Sequence, residues 1–551
     1  MGYPVPNATS STASIDWAKT QLENCVSSHS NCVPNLISTL PARVIDVGTS
    51  SDTYIRLLEP QGESGRYLCL SHCWGTKAFL CTRRANLAIH KDSIPLRDLP
   101  PTFEDAVHFT RLLGVRYLWI DSLCIVQDDD EDWRKQSAEM ADIYANAYLT
   151  IAAMHAESPF QGLFSTLEPE MRPHALSVRA YTAGDRGIPE IYARRTVPHI
   201  DSHYLGSLSG LSPSTRKLPL LQRAWFFQER FLSQRVLYFA ASELAWQCSS
   251  QTICQCRGEQ DVPNIDARVL NTQGHYHTST LIAALQDEGR EEVMRRWLSL
   301  VGKYSTMHMT FERDMLPALS GLAKKFGNLL GSQYAAGIWE DSILPGLLWH
   351  PVVTTEQKKW GTRPRKWRAP SWSWASANTA IAFPNLKELV HPCRLLNVEC
   401  QLRGPDATGE VTGGHMVVQG LVCRTKVIHR LVSGERLSWN VYDLGLMDAG
   451  FLGNRYADYD WMVDGPGKVE NGSTVYCLVL GAQAVGGTCY LLVLKEVGGS
   501  DAGSMGTFER IGLVEVFGHK VRKVSPDGTI SMVSPFDIIE GKSVEETVTL
   551  L

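Results

Sequence analysis

Chemistry is concentrated first in the stretch "YLCLSHCWG", Tyr67 to Gly75, where Ser71, His72 and Cys73 follow one another behind an apolar strand-like run and precede Trp74 and a glycine. A thiol beside an imidazole suggests a Cys73 thiolate nucleophile or a His72 base, with a nearby carboxylate such as Asp121 as activator. Neighbouring residues on a strand point to opposite faces, so Ser71 and His72 form no nucleophile–base pair while both stay in regular strand; Ser71 and Cys73 share a face instead. Buried fillers (Cys69 and Cys73) and a structural His72 are the competing reading. Asp121 ends the apolar run "RYLWID", with Ser122 and Cys124 just after it. A carboxylate there orients His72, binds ribose hydroxyls or caps the loop backbone. In "RAWFFQERFL", Trp225, Gln228 and Glu229 stand at helical spacings on one face, and Glu229 is either a catalytic carboxylate or the partner of Arg223 or Arg230.

Two cysteine groups, Cys25-x3-His29-x2-Cys32 and Cys248 with Cys254 and Cys256, lack paired C-x-x-C spacing and an evident fourth ligand, so no metal site is assigned. Asp128 to Asp130 read as a helix cap and a solvated face. No phosphate-loop or GxGxxG spacing appears, which argues against nucleoside-triphosphate hydrolysis.

The elements that must position these groups alternate. "ARVIDV", "TYIRLL" and "YLCLS" read as strands of one sheet. "PPTFEDAVHFTRLLG" reads as a helix with Thr102 as N-cap, Asp105 in capping-box position and Gly114 as terminator, and the strand "RYLWID" follows at once. "EDWRKQSAEMADIYANA" gives a second helix before the strand "YLTIAA", and "LPLLQRAWFFQERFL" a third before "QRVLYFA". Strand–helix–strand repetition predicts an α/β unit with parallel strands, and ligands in such sheets bind beyond the carboxyl ends of the strands. Ser71-His72-Cys73, Asp121-Ser122 and the end near Ala152 fall at such positions. The expected domains are a helical extension over 1–41, an α/β domain over 42–260 with an insertion at about 160–217, a helical region over 261–380 and a β-rich domain over 381–551. "SWSWAS" reads as a packing seam with Trp372 and Trp374 on one strand face.

The 551 residues, 44% of them apolar and 20% charged, describe an ordered chain too long for one core. A net charge of -5 without a basic stripe excludes a nucleic-acid binder, and no long apolar run predicts a membrane span. The polar N-terminus predicts a cytoplasmic protein whose 14 cysteines stay reduced.

Three blocks, "YLCLSHCWG", "YLWIDSLCIVQDDDEDWRKQSAEMADIYANAYLTIAA" and "RAWFFQERFLSQRVLYF", resemble in order and spacing the three signature blocks of the fungal heterokaryon-incompatibility (HET) domain. Later segments such as "GIWEDSILPGLLWH" and "APSWSWAS" extend the likeness over roughly residues 15 to 425. The resemblance implies a TIR-like or flavodoxin-like open sheet and a role in non-self recognition and programmed cell death. Some TIR domains cleave NAD, which makes NAD the implied substrate, with no further cofactor required. On that analogy Glu229 steadies an oxocarbenium-like ribosyl centre while Trp74 or Trp225 stacks on a ring. Four residues are then catalytic candidates: His72, Cys73, Asp121 and Glu229. Ser71, Trp74, Ser122, Arg223, Trp225 and Gln228 are candidates for binding a small molecule. Self-association is a further expectation. Two alternatives stand beside this: a soluble biosynthetic enzyme using a His/Cys/Asp pocket, and a non-catalytic interaction module.

Overall fold

The computed structural model describes residues 4–32, 37–172, 174–176, 191–193, 218–256, 282, 285–286, 288–352, 361–384, 389–390, 393–433, 438–444, 453–461, 468–483, 487–497, 506–517, 521–524, 530–533 and 535–551. Two compact units divide the chain, Met1–Gly289 and Arg290–Leu551. Most of the insertion expected at about 160–217 lies outside the described residues.

In the first unit, helix α1 (Thr12–Ser28) precedes strands β1 (Val44–Asp46), β2 (Tyr54–Leu58), β3 (Tyr67–Ser71) and β4 (Ile94–Pro95). Helix α2 (Pro101–Leu112), strand β5 (Tyr117–Ile120), helix α3 (Asp130–Ala145) and strand β6 (Leu149–Ala153) follow. Helix α4 (Ala224–Leu232) leads into strands β7 (Arg235–Phe239), β8 (Leu244–Cys248) and β9 (Thr252–Cys254). These strands make one mixed sheet in the order β9-β8-β7-β6-β3-β5-β1-β2-β4. Its centre, β7-β6-β3-β5, is parallel, and antiparallel strands flank it on both sides. The chain leaves β3 for β5 on one side and returns to β6 on the other. The connection therefore reverses between β3 and β6, the kind of position at which open α/β sheets bind ligands beyond the strand ends.

Side-chain alternation along β3 assigns the two faces. Tyr67 donates its hydroxyl to the Ile143 carbonyl of α3 at 2.6 Å, whereas His72 meets Phe103 of α2 edge-on at 4.9 Å between ring centroids. All five residues of β3 are buried, as in a parallel strand covered on both faces. Helix α3 starts as its acidic run predicts, with Asp129 accepting from the backbone N–H groups of Glu131 and Asp132. Helix α2 corrects the expected cap. Pro100 is its N-cap and Pro101 its first residue, Thr102 is buried inside the first turn, and Asp105 accepts from the N–H of Leu163 at 2.8 Å. Proline at the first helical position needs no N–H partner, so a side-chain cap is dispensable there.

The second unit holds helices α5 (Arg290–Tyr304) and α6 (Pro317–Leu330) and a separate sheet. Strands β10 (Arg394–Leu402), β11 (Val411–Ser433), β12 (Thr474–Gln483), β13 (Cys489–Glu496), β14 (Thr507–Val516) and β15 (Val544–Leu550) form it. The ladder runs β12-β13-β14-β15-β11 and closes by pairing β11 with β12. Inside this unit Arg510, wholly buried, donates to Asp458 at 2.9 Å and lies 3.6 Å from the Trp349 ring centroid. The Trp-rich segment differs from its sequence reading: Trp374–Ser376 is a short 3-10 turn, not strand. Trp372 and Trp374 are buried there, and the Trp374 indole N–H reaches the Gly337 carbonyl at 3.0 Å.

Two glycines test how the loops after β3 and α2 are held. Gly75 (φ +66°) and Gly114 (φ +68°) both need the left-handed region; a Cβ on Gly75 would also lie 2.7 Å from Ser158 Cβ, whereas nothing lies within 4 Å at Gly114. Gly114→Ala is expected to cost roughly 1–2 kcal/mol, and Gly75→Ala about 1–3 kcal/mol more. Urea unfolding compares the two, and equal costs would mean that Ser158 simply yields.

Candidate functional site

Period-two alternation at the end of β3 sends its polar residues to two different places. Ser71 points to the α3/α4 face and donates its hydroxyl to Glu229 Oε2 at 2.5 Å. Cys73, on the same side, packs in an apolar cluster with Ala152, Met154, Leu221 and Phe226. His72 turns to the α2 face and is flanked by Phe103 and Phe79. The three residues adjacent in sequence thus face two different surroundings.

Glu229 is the central group of the first. It is 2% exposed on α4, next to buried Gln228. Burial raises its carboxyl from an ordinary 4.5 to about 7, against the nearby Arg223 charge and hydrogen bonds from Ser71 and Tyr144, which lower it. A carboxyl with that pKa can hold or release a proton near neutrality. Tyr144 of α3 is the residue that sequence reasoning missed. Its place in the apolar stripe of α3 marks it as core, and only the packing of α3 beside α4 brings it to Glu229.

Asp121 organises the second subsite from the first residue of the short helix Asp121–Cys124. Its Oδ1 accepts the Ser122 N–H at 2.7 Å and lies 3.8 Å from His72 Nδ1, and its Oδ2 accepts the Trp74 indole N–H at 2.9 Å. Of the expected roles of Asp121, backbone capping is the one these contacts display, since it accepts the Ser122 N–H while its distance to His72 is beyond hydrogen-bond range. The His72 ring is buried, and neither of its nitrogens reaches a hydrogen-bond partner. Desolvation lowers its pKa to about 4, with Asp121 opposing that shift, so the imidazole is neutral at pH 7. The Ser122 hydroxyl is likewise buried without a partner. Burial pushes the Cys73 thiol up to about 11, leaving it protonated at pH 7.

Arg223, expected to pair with Glu229, donates to the His72 carbonyl and so ties the start of α4 to the end of β3. Trp225 packs against the main core of the unit and is partly buried. Toward solvent the site presents Trp74, Asp121, Arg223 and Trp225, all partly exposed, and the exposed segment 75–78. The arrangement combines a buried ionisable carboxyl with partly exposed polar and aromatic residues nearby.

The raised Glu229 carboxyl has a consequence for stability. A native pKa above the unfolded value means the folded state binds the proton more tightly, so this residue's contribution falls as pH rises from about 4.5 through about 7. Glu229→Gln is therefore expected to match wild type near pH 4 and to exceed it above pH 7, by on the order of 3 kcal/mol. Urea unfolding at a series of pH values checks this, and parallel curves would mean that Glu229 is not desolvated. His72 works in the opposite direction. Its depressed pKa costs stability as pH falls from 6.5 to about 4, and His72→Phe should flatten that limb of the same profile.

Among the described residues no helix is long and apolar enough to cross a membrane. Residues 67–229 match the family model described as heterokaryon incompatibility protein (HET). No curated protein and no solved structure matches the chain. The matched span begins at the first residue of β3 and ends at Glu229, and so takes in the strands and helices that bring Ser71, Asp121 and Glu229 together.

Proposed function

We propose that this heterokaryon-incompatibility-type protein acts as a cell-death effector whose HET domain hydrolyses the N-glycosidic bond between nicotinamide and ribose in NAD. The observation that carries the reading is the buried Glu229 carboxyl, bonded to Ser71 beside the reversal point of a parallel sheet. The parallel strand order, numbered by sequence as 2-1-3-4, agrees with a flavodoxin-like or TIR-like sheet.

In this reaction the carbon–nitrogen bond breaks and its electron pair leaves with nicotinamide, whose ring passes from cationic to neutral. Positive charge develops on the ribosyl carbon and ring oxygen, and water then adds to that carbon and releases a proton. An ionised Glu229 steadies the developing charge in a site of low dielectric. Ser71 fixes the carboxylate's orientation through its hydrogen bond, and the nearby Tyr144 favours the ionised form. Asp121 is suited to ribose hydroxyls, and the Trp74 indole that it anchors to a ring stack. The biosynthetic alternative is less favoured, because a protonated Cys73 and a neutral His72 facing away from it do not make a thiolate pair.

Nicotinamide release from NAD by the purified chain, at low and high protein concentration, tests the proposal. Wild type should turn over, Glu229→Gln should lose on the order of 10²-fold or more in kcat, and Ser71→Ala less. Because the ionised carboxylate is the working form, kcat/KM should fall as pH drops below about 7. Absence of release at every concentration, or full activity in Glu229→Gln, would sink the reading.

A further inference from the structure

A second constellation lies away from this site, where the end of α1 meets the end of β8. Cys25, His29 and Cys32 come from α1 and the turn that follows it, and Cys248 from the last position of β8. One ligand atom from each of these four residues lies within 4.8 Å of all the others. His29 Nδ1 is 3.4 Å from Cys248 Sγ and 3.9 Å from Cys32 Sγ. Zinc bonds of about 2.3 Å to sulfur and 2.0–2.1 Å to nitrogen in a tetrahedron require ligand separations of roughly 3.5–3.8 Å, which these distances bracket. The two cysteine groups that sequence spacing treats as separate are therefore rearranged in space. Cys248 supplies the fourth ligand that the first group lacks, while Cys254 and Cys256 gather around Glu243 instead.

We infer that Cys25, His29, Cys32 and Cys248 form a structural zinc site that fastens the N-terminal helix to the sheet. Four protein ligands fill a tetrahedral zinc shell and leave no position for water or substrate, so the site is structural and not catalytic. The surroundings match the charge of such a centre. Three thiolates and a neutral imidazole around Zn²⁺ leave one net negative charge. Arg235, wholly buried, donates from Nε to Cys25 Sγ at 3.2 Å. Arg235 is also the cross-strand partner of Cys248 in the β7–β8 ladder, so sheet register brings the guanidinium to the site. The Ser250 hydroxyl lies 3.7 Å from Cys32 Sγ and adds a further outer contact. Three of the ligands, Cys25, Cys32 and Cys248, are buried, which shields the metal bonds from competing water.

Elemental analysis of the purified full chain tests the site. About one zinc per chain is expected, lost in the Cys32→Ser/Cys248→Ser double variant and retained in Cys256→Ser. Cobalt substitution of wild type should give a thiolate-to-cobalt charge-transfer band and tetrahedral d–d bands. If the double variant does not fold, wild type still decides: chelator treatment should lower its melting temperature by several degrees, and added zinc should restore it. Any of three results overturns the inference. These are zinc retained by the double variant, no zinc and no cobalt–thiolate band in wild type, and a disulfide joining any two of the three cysteines in reduced-cell preparations.

Discussion

Burial of one carboxyl group constrains how β3, α3 and α4 are arranged in the first unit. Glu229 sits 2% exposed on α4, and a desolvated carboxyl is tolerated only where dipoles and positive charge compensate it. Ser71 provides a hydroxyl from the end of β3, Tyr144 another from α3, and Arg223 a charge from the start of α4. Each of these comes from a different element, so the carboxyl is acceptable only when β3, α3 and α4 are all in their native positions. The same three elements surround the reversal between β3 and β6 where an α/β sheet opens to ligands.

The division of labour at "SHCWG" follows from strand geometry alone. Successive side chains alternate, so Ser71 and Cys73 pass to the α3/α4 face and His72 to the α2 face. The consequence is chemical. A serine–carboxyl pair of raised pKa occupies one subsite, and a neutral imidazole beside Asp121 and Trp74 occupies the next. Arg223 links them, since it bonds the His72 carbonyl while its charge acts on Glu229. A displacement of α4 would thus disturb both subsites together.

Far from that site, the N-terminal helix is held by an interaction of a different kind. α1 offers only a modest apolar face, with Ile15, Ala18, Leu22 and Cys25 as its buried apolar residues. A metal centre at its end would add a fixed bond network to that burial, which is how small or peripheral elements are commonly secured.

The sequence by itself determined the alternation of strands and helices, because apolar periodicity and turn residues act over a few neighbours: "YLCLS", "YLWI" and "LTIAA" are strands as read, and the acidic run Asp128 to Asp130 begins α3. It also placed Ser71 and Asp121 at strand ends and Glu229 on a helix face. Tertiary structure decided what local pattern could not encode. Whether Glu229 meets Arg223 or Ser71 depends on how α4 packs against a strand 158 positions earlier in the chain. Tyr144 carries the same apolar-stripe signature whether it touches leucine or a carboxyl. Cys248 joins His29 across 219 positions because β8 ends beside the end of α1, and no spacing rule reaches over that distance. Local forces set the elements, and the long-range packing that buries charge and gathers sulfur set the chemistry.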